Sequence, residues 1–313
     1  MVAYFLLVFA VAFLLTLVLT PLVIRLAYRV GAIDIPNKRK VHNRIMPRLG
    51  GLAVYLGFLA AVLVVVNYTY DRQILGLLLG GTVVLLVGVV DDIKSLPPLA
   101  KLLGQVLAAA IPVYFGIRVN FINNPFDGYF HLGWMSIPVT MLWIVGITNA
   151  INLIDGLDGL ASGVSFIALL IFSFMSLQVN QNTLIALLSL ALAGAVLGFL
   201  RYNFHPAKIF LGDTGSMFLG FTIAVISVMG LLKSVTLYTF ITPILILGVP
   251  IFDTFFAIVR RYKNNQPIFA ADKAHLHHRL LNLGFSHRQA VLAIYCLALV
   301  FGLSAVFIFN RFS

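Results

Sequence analysis

The sequence predicts an all-α, polytopic membrane protein that forms a single domain over residues 1–313. The first observation behind this prediction is composition: 61% of the 313 residues are hydrophobic and only 10% are charged, whereas a soluble domain averages about 25% charged residues. The second is the recurrence of apolar stretches close to the roughly 20 residues that a helix needs to cross a bilayer. The third is that all ten acidic residues are aspartate, so the glutamate–lysine pairs common on water-exposed helices cannot form.

About ten transmembrane helices are predicted from the apolar segments. They are, in chain order, Val2–Ala27, Gly51–Val66, Ile74–Val90, Leu99–Phe115, Trp134–Ile151, Leu160–Leu177, Leu184–Leu200, Phe210–Leu232, Leu237–Val259 and Ala290–Phe309. The first lacks a basic region before it and an obvious cleavage site before Arg25, so we interpret it as a retained helix rather than a signal peptide. Pro243 and Pro250 predict kinks in the ninth span. Cys296 is the single cysteine and can form no intrachain disulfide.

The distribution of basic residues predicts the orientation. Ten spans place both termini on one side, and the loops then fall into two alternating sets. One set, comprising 25–48, 91–101, 149–158, 201–213 and 260–288, holds 17 of the 21 lysines and arginines. Because cytoplasmic loops carry the excess of basic residues, these five loops are predicted to be cytoplasmic and both termini external, in the plasma (inner) membrane.

The aspartates and histidines share this asymmetry. Eight of the ten aspartates and six of the seven histidines fall at or near the predicted cytoplasmic loops; the exceptions are Asp71, Asp127 and His131. The rule for basic residues does not require aspartate or histidine to follow, so the five loops are predicted to form a functional site. The net charge of +11 is explained by orientation and anionic lipid. Nucleic acid is not expected as a partner, because the basic residues are scattered over five short loops.

Two adjacent carboxylates, Asp91 and Asp92, end the third predicted span. The negative end of the helix dipole disfavours carboxylates at this position, so a compensating cation is expected, either a metal or basic neighbours. Oxygen ligands of this kind suit Mg²⁺, especially where a diphosphate shares the coordination. The alternative is a solvated pair at the membrane interface. A DDxxD prenyl-diphosphate motif is not present, because Ser95 takes its last position.

The segment after the fifth span carries four polar residues spaced three apart: Asn149, Asn152, Asp155 and Asp158. This spacing places them near one face of a helical turn. Two Asp-Gly pairs then predict a tight loop that could contact a ribose, a base or a phosphate. A plain capped turn is the alternative.

The segment 210–216 opens the eighth span and combines glycines with threonine and serine. The free N–H groups of a helix N-terminus suit an anion. Within this segment Asp213 could be a helix cap, or it could bind a metal beside the phosphates that the loop holds.

The longest predicted cytoplasmic loop contains the histidine element, His275, His277, His278 and Arg279. Clustered histidines can bind zinc, but no cysteine is near and the other candidate ligands are hard carboxylates. We therefore interpret the element as recognising phosphate or handling protons, with an inert basic loop as the alternative. Asp253 precedes this loop at membrane depth, where it is either a functional carboxylate or the structural partner of a basic residue.

Six motifs, each on the predicted cytoplasmic face, occur together in a fixed order. They are Lys38–His42 with Pro47–Gly51, Asp91-Asp92 with Leu96-Pro97 and Lys101–Gln105, Asn149–Gly159, Pro206–Gly215, Pro250–Thr254 and His275–Arg279. Over nearly its whole length the chain resembles the polyprenyl-phosphate N-acetylhexosamine-1-phosphate transferases of glycosyltransferase family 4. Carboxylates, a glycine-rich helix start and basic loops on one membrane face also suit phosphoryl transfer.

The resemblance implies a Mg²⁺-dependent enzyme, in which Mn²⁺ could substitute. The phosphate of undecaprenyl phosphate would attack the β-phosphorus of a UDP-sugar, releasing UMP. Asp91 would be the base toward the lipid phosphate, or a nucleophile, with Asp92 supporting it or the metal, and Asp213 would bind the metal. Because a phosphate monoester is mostly ionised near pH 7, we expect the metal and positioning to contribute more than proton transfer.

The resemblance also implies the residues that bind substrate. The nucleotide pocket would be lined by Asn149, Asn152, Asp155, Asp158, Asn203 and Phe210, with Phe210 near the uracil. The phosphates would be handled by Lys101, His275, His277, His278 and Arg279, with His278 as a catalytic residue.

The His-Leu-His-His pattern resembles the GlcNAc-1-phosphate transferases that begin teichoic acid, O-antigen lipopolysaccharide and related cell-envelope glycans, and it therefore favours UDP-GlcNAc. The alternative is a phospho-MurNAc-pentapeptide transferase. It is less favoured, because those enzymes usually carry three consecutive histidines and longer chains. The oligomeric state is left open, a homodimer included.

Two other classes are disfavoured. An ion-coupled transporter would carry its carboxylates near the bilayer midplane on broken helices, whereas here they cluster at one interface. A CDP-alcohol phosphotransferase would carry an Asp-Gly-x-x-Ala-Arg pattern, which is not seen: Ser162 follows Asp158-Gly-Leu-Ala161.

Overall fold

The computed structural model describes residues 2–36, 44–66, 71–123, 129–180, 182–230, 237–266 and 275–312. Within them the chain forms the helices α1 (Val2–Val30), α2 (Gly50–Val66), α3 (Arg72–Lys94), α4 (Pro98–Tyr114), α5 (Ser136–Ile154), α6 (Leu160–Asn180), α7 (Thr183–Asn203), α8 (Gly212–Gly230), α9 (Leu237–Ile246), α10 (Gly248–Lys263), α11 (Leu276–Asn282) and α12 (His287–Phe312). The Lys38–His42 motif, Asp127, Asp272 and Lys273 lie outside the described residues.

The predicted spans correspond to these helices. Seven helices of the described chain are long and apolar enough to cross a membrane, namely α1, α3, α5, α6, α7, α8 and α12. The second and fourth predicted spans form the shorter apolar helices α2 and α4. The protein is therefore an all-α polytopic membrane protein, as predicted from composition.

The ninth predicted span consists of two helices rather than one kinked helix. α9 ends at Ile246 and α10 begins at Gly248, with Leu247 between them at φ −94° and ψ 21°. Pro250 has no N–H to donate to the carbonyl of Ile246, so the helical ladder is interrupted where the kink was predicted. α10 then continues to Lys263, beyond the predicted end of the span.

Two short antiparallel ladders accompany the helices. The first pairs β1 (Ile33–Asp34) with β2 (Met46–Pro47), and the second pairs β3 (Phe121–Asn123) with β4 (Tyr129–His131). The β1–β2 pair joins the two ends of the first predicted cytoplasmic loop. As a result Asp34 and Arg48 lie close together, with Oδ1 of Asp34 3.9 Å from Nη1 of Arg48.

The central helix of the fold is α8. All its residues from Thr214 to Gly230 are buried, and it packs against α2, α3, α5, α6 and α7. At Gly88 the backbones of α3 and α8 touch: a Cβ added there would lie 2.5 Å from Cα of Thr214. Because real side chains never approach so closely, a glycine is required here, and it holds the end of α3 against the first turn of α8.

Candidate active site

A cavity of about 830 Å³ opens where the five predicted cytoplasmic loops meet. Every one of these loops contributes to its lining. The residues are Asp34, Arg44 and Arg48 from the first loop, Asp92 from the second, Asp155–Asp158 from the third, several residues between Asn203 and Asp213 from the fourth, and His278 and His287 from the fifth. Loops that are far apart in sequence thus form one site, as predicted.

Three carboxylates meet beside the cavity. Asp91, Asp92 and Asp213 each offer an oxygen, and these oxygens lie within 4.8 Å of one another. Lys101 is the cation between two of them: its Nζ lies 2.8 Å from Oδ2 of Asp213 and 3.3 Å from Oδ2 of Asp91. The cluster is therefore a site of concentrated negative charge with one ammonium inserted into it.

The turn between α3 and α4 positions Lys101. Ser95 ends α3 in the left-handed conformation, and its N–H donates to the carbonyl of Asp91. Leu96 then donates its N–H to Oδ1 of Asp91 at 2.7 Å. Pro98 starts α4, where a proline costs no helical hydrogen bond. This reversal places Lys101, one turn into α4, back over the carboxylate of Asp91.

The carboxylate of Asp92 contacts the N-terminus of α8. It accepts the N–H groups of Asp213 and Thr214 at 3.1 and 2.9 Å, and the hydroxyl of Thr214 at 2.6 Å. Arg48 donates from Nε and Nη2 to the backbone carbonyl of Asp92 at 3.1 and 3.0 Å. Asp92 therefore contacts the N-terminus of α8 and the first loop together.

The donor set of Asp91, Asp92 and Asp213 fits a hard divalent cation. Carboxylate oxygens are the ligands that Mg²⁺ and Mn²⁺ prefer. Asp91 and Asp92 are buried at 7% and 2% exposure, so their charges have little water to stabilise them. Oδ1 of Asp213 accepts a long hydrogen bond, 3.3 Å from Nδ2 of Asn152, and the Asp213 side chain is 26% exposed, so it is accessible to a ligand.

Asp155 is half-buried and faces the cavity. Burial raises the pKa of its carboxyl group well above the usual value, and the nearby carboxylates Asp213, Asp92 and Asp158 raise it further. The raised pKa favours the protonated form of this carboxyl group more than in an ordinary aspartate, and that form can donate a hydrogen bond to a ligand oxygen. Its location fits the predicted role in nucleotide binding.

Asp158 is held by two histidines that the sequence interpretation did not select. Its Oδ2 pairs with Nδ1 of His205 at 2.8 Å and accepts the N–H of Ala207 at 3.1 Å. Its own N–H donates to Nε2 of His287 at 2.9 Å. The three side chains therefore join the third, fourth and fifth loops at the wall of the cavity.

Asp158, His205 and His287 form a second group of potential metal ligands by distance alone. However, the rings of His205 and His287 are stacked, with centroids 4.2 Å apart and planes inclined by 22°. An imidazole nitrogen binds a metal ion through a lone pair that lies in the ring plane, at a distance of about 2 Å. One ion bound by both histidines would have to lie in both ring planes, and stacked, nearly parallel rings do not allow this. This group is a hydrogen-bonded and stacked cluster rather than a metal site.

The histidine element has one side chain in the cavity and two that anchor it. His275 pairs through Nδ1 with Oδ2 of Asp253 at 2.8 Å, and Leu276 donates its N–H to Oδ1 of Asp253, also at 2.8 Å. His277 is 3% exposed and packs against Gly156, where an added Cβ would lie 2.3 Å from Nε2. Only His278 of this element lines the cavity.

Burial lowers the pKa of His277 to about 4, and the neighbouring histidines His278 and His275 lower it further. This ring is therefore neutral near pH 7. Asp253, which the sequence left between two interpretations, is the structural partner of His275.

Several predicted substrate-binding residues lie behind the cavity wall. Asn149 donates to Oε1 of Gln105 at 2.6 Å, and Asn152 donates to Oγ of Ser216 at 2.7 Å and to Asp213. Asn203 lines the cavity, but both ends of its amide are engaged, with Ser162 and with the carbonyl of Ile209. Phe210 lines the cavity as predicted, whereas Arg279 is exposed and is not part of its lining.

Sequence reasoning missed Arg48, His205 and His287. Arg48 belongs to the basic first loop, whose charge was assigned to orientation. His205 directly precedes the Pro206–Gly215 motif, so its position beside that motif was a signal that could have found it. His287 begins α12, ten residues after His277, and no local pattern sets it apart.

A family model and curated relatives match this chain. The model of glycosyl transferase family 4 matches residues 74–231. A probable undecaprenyl-phosphate N-acetylglucosaminyl 1-phosphate transferase of Bacillus subtilis is 51% identical over 95% of this chain and 83% of its own length. A decaprenyl-phosphate N-acetylglucosaminephosphotransferase of Mycobacterium leprae is 37% identical over 96% of this chain and 83% of its own length.

A second kind of relative is more distant. A phospho-N-acetylmuramoyl-pentapeptide-transferase of Halalkalibacterium halodurans is 32% identical, over 97% of this chain and 97% of its own length. Both kinds of relative align over nearly the full chain.

Proposed function

Because the chain belongs to glycosyl transferase family 4, we propose that it transfers GlcNAc-1-phosphate from UDP-GlcNAc to undecaprenyl phosphate. The products are undecaprenyl-diphosphate-GlcNAc and UMP, and the reaction begins a cell-envelope polysaccharide such as a teichoic acid or O-antigen. The observation that carries the proposal is the carboxylate–lysine cluster beside a cavity that charged side chains line, at one end of a bundle of apolar helices.

The cavity suits a nucleotide sugar. Its volume of about 830 Å³ is within the range of roughly 300–1,000 Å³ that small-molecule sites occupy. Phe210 supplies an apolar face for the base, while Asp155, whose pKa is raised, and the backbone of the Gly156–Asp158 loop supply polar contacts. Arg44 and Arg48, which also line the cavity, supply positive charge for the diphosphate.

Asp213 and Asp91 would hold the divalent cation, Mg²⁺ or Mn²⁺; the sequence interpretation assigned Asp213 to the metal together with Asp92, and Asp91 to the lipid phosphate. When bound, that ion neutralises charge on the diphosphate oxygens and makes the leaving UMP a better leaving group. Lys101 lies where its ammonium stabilises charge that develops on the transferring phosphoryl group. The N–H of Leu96 holds Oδ1 of Asp91 in place. The Asp91 carboxylate would then position the lipid phosphate or accept its remaining proton.

UDP-GlcNAc is favoured over UDP-MurNAc-pentapeptide by the relatives. The GlcNAc-1-phosphate transferase named above is 51% identical, whereas the pentapeptide transferase is 32% identical. The His-Leu-His-His pattern points the same way.

The sidedness of the site is part of the proposal. Ten spans with external termini place the cavity on the cytoplasmic face, where UDP-sugars are made. A variant with Cys296→Ser, carrying single cysteines at exposed loop positions, tests this with a membrane-impermeant thiol reagent on intact cells. Labelling of a residue beside the cavity, such as Lys208→Cys, would contradict the orientation. The oligomeric state, a homodimer included, is to be determined by measuring the molar mass of the purified protein.

The activity is tested by incubating the purified protein with undecaprenyl phosphate, Mg²⁺ and a panel of UDP-sugars, and by measuring UMP. UMP release with UDP-GlcNAc is expected. Release with UDP-MurNAc-pentapeptide alone would make the substrate assignment wrong, and no release with any sugar would make the enzyme assignment wrong. Asp213→Asn is expected to abolish metal-dependent turnover.

A further inference from the structure

We infer that Asp92 is a positioning residue that caps α8 and holds Asp213 in place, rather than a ligand of the divalent cation. The inference rests on the proposed function, because it concerns how the residues of that reaction divide their roles. It separates two neighbouring aspartates that the sequence presents as one pair.

The hydrogen bonds of Asp92 are those of a helix cap supplied by another helix. Its Oδ2 accepts both the N–H of Thr214 at 2.9 Å and the hydroxyl of Thr214 at 2.6 Å. Its Oδ1 accepts the N–H of Asp213 at 3.1 Å. These N–H groups belong to the first turn of α8, where no preceding carbonyl can accept them. The positive end of the α8 dipole also favours a carboxylate at this point.

The acceptor capacity of Asp92 is almost fully used. Each carboxylate oxygen accepts about two hydrogen bonds, and Oδ2 already has two. Oδ1 has one, together with the guanidinium of Arg48, whose Nε lies 3.7 Å away. The Asp92 side chain is only 1% exposed. A cation that used Asp92 would therefore have to break contacts that fix the start of α8.

Asp91 and Asp213 are different. Oδ2 of each faces the ammonium of Lys101, and the side chain of Asp213 is 26% exposed. Both therefore present an oxygen toward an ammonium group rather than toward a helix terminus. They are the two members of the cluster that a metal ion can reach without disrupting the fold.

The geometry of α3 explains the division. Consecutive residues on an α-helix point about 100° apart, so Asp91 and Asp92 cannot share one face. Asp92 lies four residues after Gly88, on the same face. Gly88 is in backbone contact with Thr214, so this face of α3 packs on the first turn of α8. The same contact places the Asp92 carboxylate beside the free N–H groups of that turn.

The hydroxyl of Thr214 separates the two roles experimentally. Thr214→Val removes one donor to Asp92 and leaves all three carboxylates. If Asp92 positions α8, this variant should lower kcat at least fivefold with the KM for UDP-GlcNAc within twofold, and Thr214→Ser should restore it. Thr222→Val is the matched control, since the buried Thr222 hydroxyl, on the same helix, has no hydrogen-bond partner among the described residues.

The second measurement is Mn²⁺ binding to the full-length protein, followed by electron paramagnetic resonance without substrate. Asp92→Asn should retain Mn²⁺ binding within about fivefold of wild type while its kcat falls at least tenfold. Asp213→Asn should weaken Mn²⁺ binding more than tenfold. Because Asp92 and Thr214 share one interaction, the double variant Asp92→Asn/Thr214→Val should be little worse than Asp92→Asn alone.

Loss of Mn²⁺ binding in Asp92→Asn would overturn the inference, as would wild-type kcat in Thr214→Val. If the wild-type protein released no UMP, the proposed function would fail. The Mn²⁺ measurement would still decide the role of Asp92, because retained binding in Asp92→Asn supports the inference and lost binding overturns it.

Discussion

Nζ of Lys101 lies 2.8 Å from Oδ2 of Asp213, although 112 residues separate the two in sequence. This ion pair joins α4 to the buried central helix and places the ammonium within the carboxylate cluster. Lys101→Met should therefore lower kcat about 100-fold, the usual cost of removing one group that stabilises transition-state charge. Mn²⁺ binding should be retained, because a competing cation is removed while the carboxylates remain. Initial rates of UMP release and Mn²⁺ titration measure the two effects.

The control for this variant is Lys94→Met, which makes the same charge change at an exposed residue in the last turn of α3. Its activity should stay within twofold of wild type. An equal loss in both variants would mean that net charge, rather than the position of Lys101, determines the rate.

The contact between Gly156 and His277 predicts a steric effect. In Gly156→Ala the new Cβ would lie 2.3 Å from Nε2 of His277, so the histidine element or the Gly156–Asp158 loop must move. We expect kcat/KM for UDP-GlcNAc to fall at least tenfold. Gly146→Ala is the control, because a Cβ there meets nothing within 4 Å and alanine favours the helix. Wild-type kcat/KM in Gly156→Ala would show that this contact does not shape the site.

Protonation of His277 should make the fold less stable in acid. Its pKa is lowered from 6.5 to about 4 by burial, so the unfolded chain binds a proton between these values and the folded chain does not. Stability is therefore lost as the pH falls from about 6.5 toward 4. This one group should cost about 2 kcal/mol at pH 5 relative to pH 7.

Thermal unfolding at the two pH values, compared between wild type and His277→Gln, measures this effect. The raised pKa of Asp155 acts in the opposite direction, but it is present in both proteins and largely cancels in the difference. The variant should lose less stability in acid than wild type. Equal shifts in the two proteins would mean that His277 is not the group responsible.

Asp253 should affect both stability and turnover, because it holds His275 and the first N–H of α11. Asp253→Ala is expected to lower kcat about tenfold and to lower the melting temperature by several degrees. Asp71→Ala is the matched control: Asp71 caps α3 by accepting the N–H of Gln73, and losing such a cap costs about 1 kcal/mol. The control should lose stability and keep its activity. Unchanged turnover in Asp253→Ala would show that the histidine element needs no anchor.

The sequence was sufficient to predict the helices and the convergence of the loops. Span length and hydropathy are local properties, and the alternation of loops across a membrane follows from them. For the same reason the predicted site residues Asp155, Phe210, Asp213 and His278 come together at one cavity, while their roles stay predictions. The motifs indicated which residue types form the site, and the topology indicated that the loops carrying them lie close together.

The sequence was not sufficient where a role depends on rotation about a helix axis or on a distant partner. Asn149 shares a helical face with Asn152, yet its amide reaches Gln105 of α4 rather than the cavity. His205 and His287 stack only because the loops before α8 and α12 meet. No spacing in the chain contains that information, since it is created by tertiary packing.

α10 carries the anchor of the histidine element on one side and bulky aromatic residues on another. Phe255 and Phe256 are 54% and 58% exposed, and two residues before Phe255 the carboxylate of Asp253 holds His275. Any force that acyl chains exert on these aromatic rings is thus applied to the same helix turn that orients the site. Turnover should therefore depend on bilayer thickness and lateral pressure. The turnover rate in detergent micelles is expected to differ from the rate in native lipid.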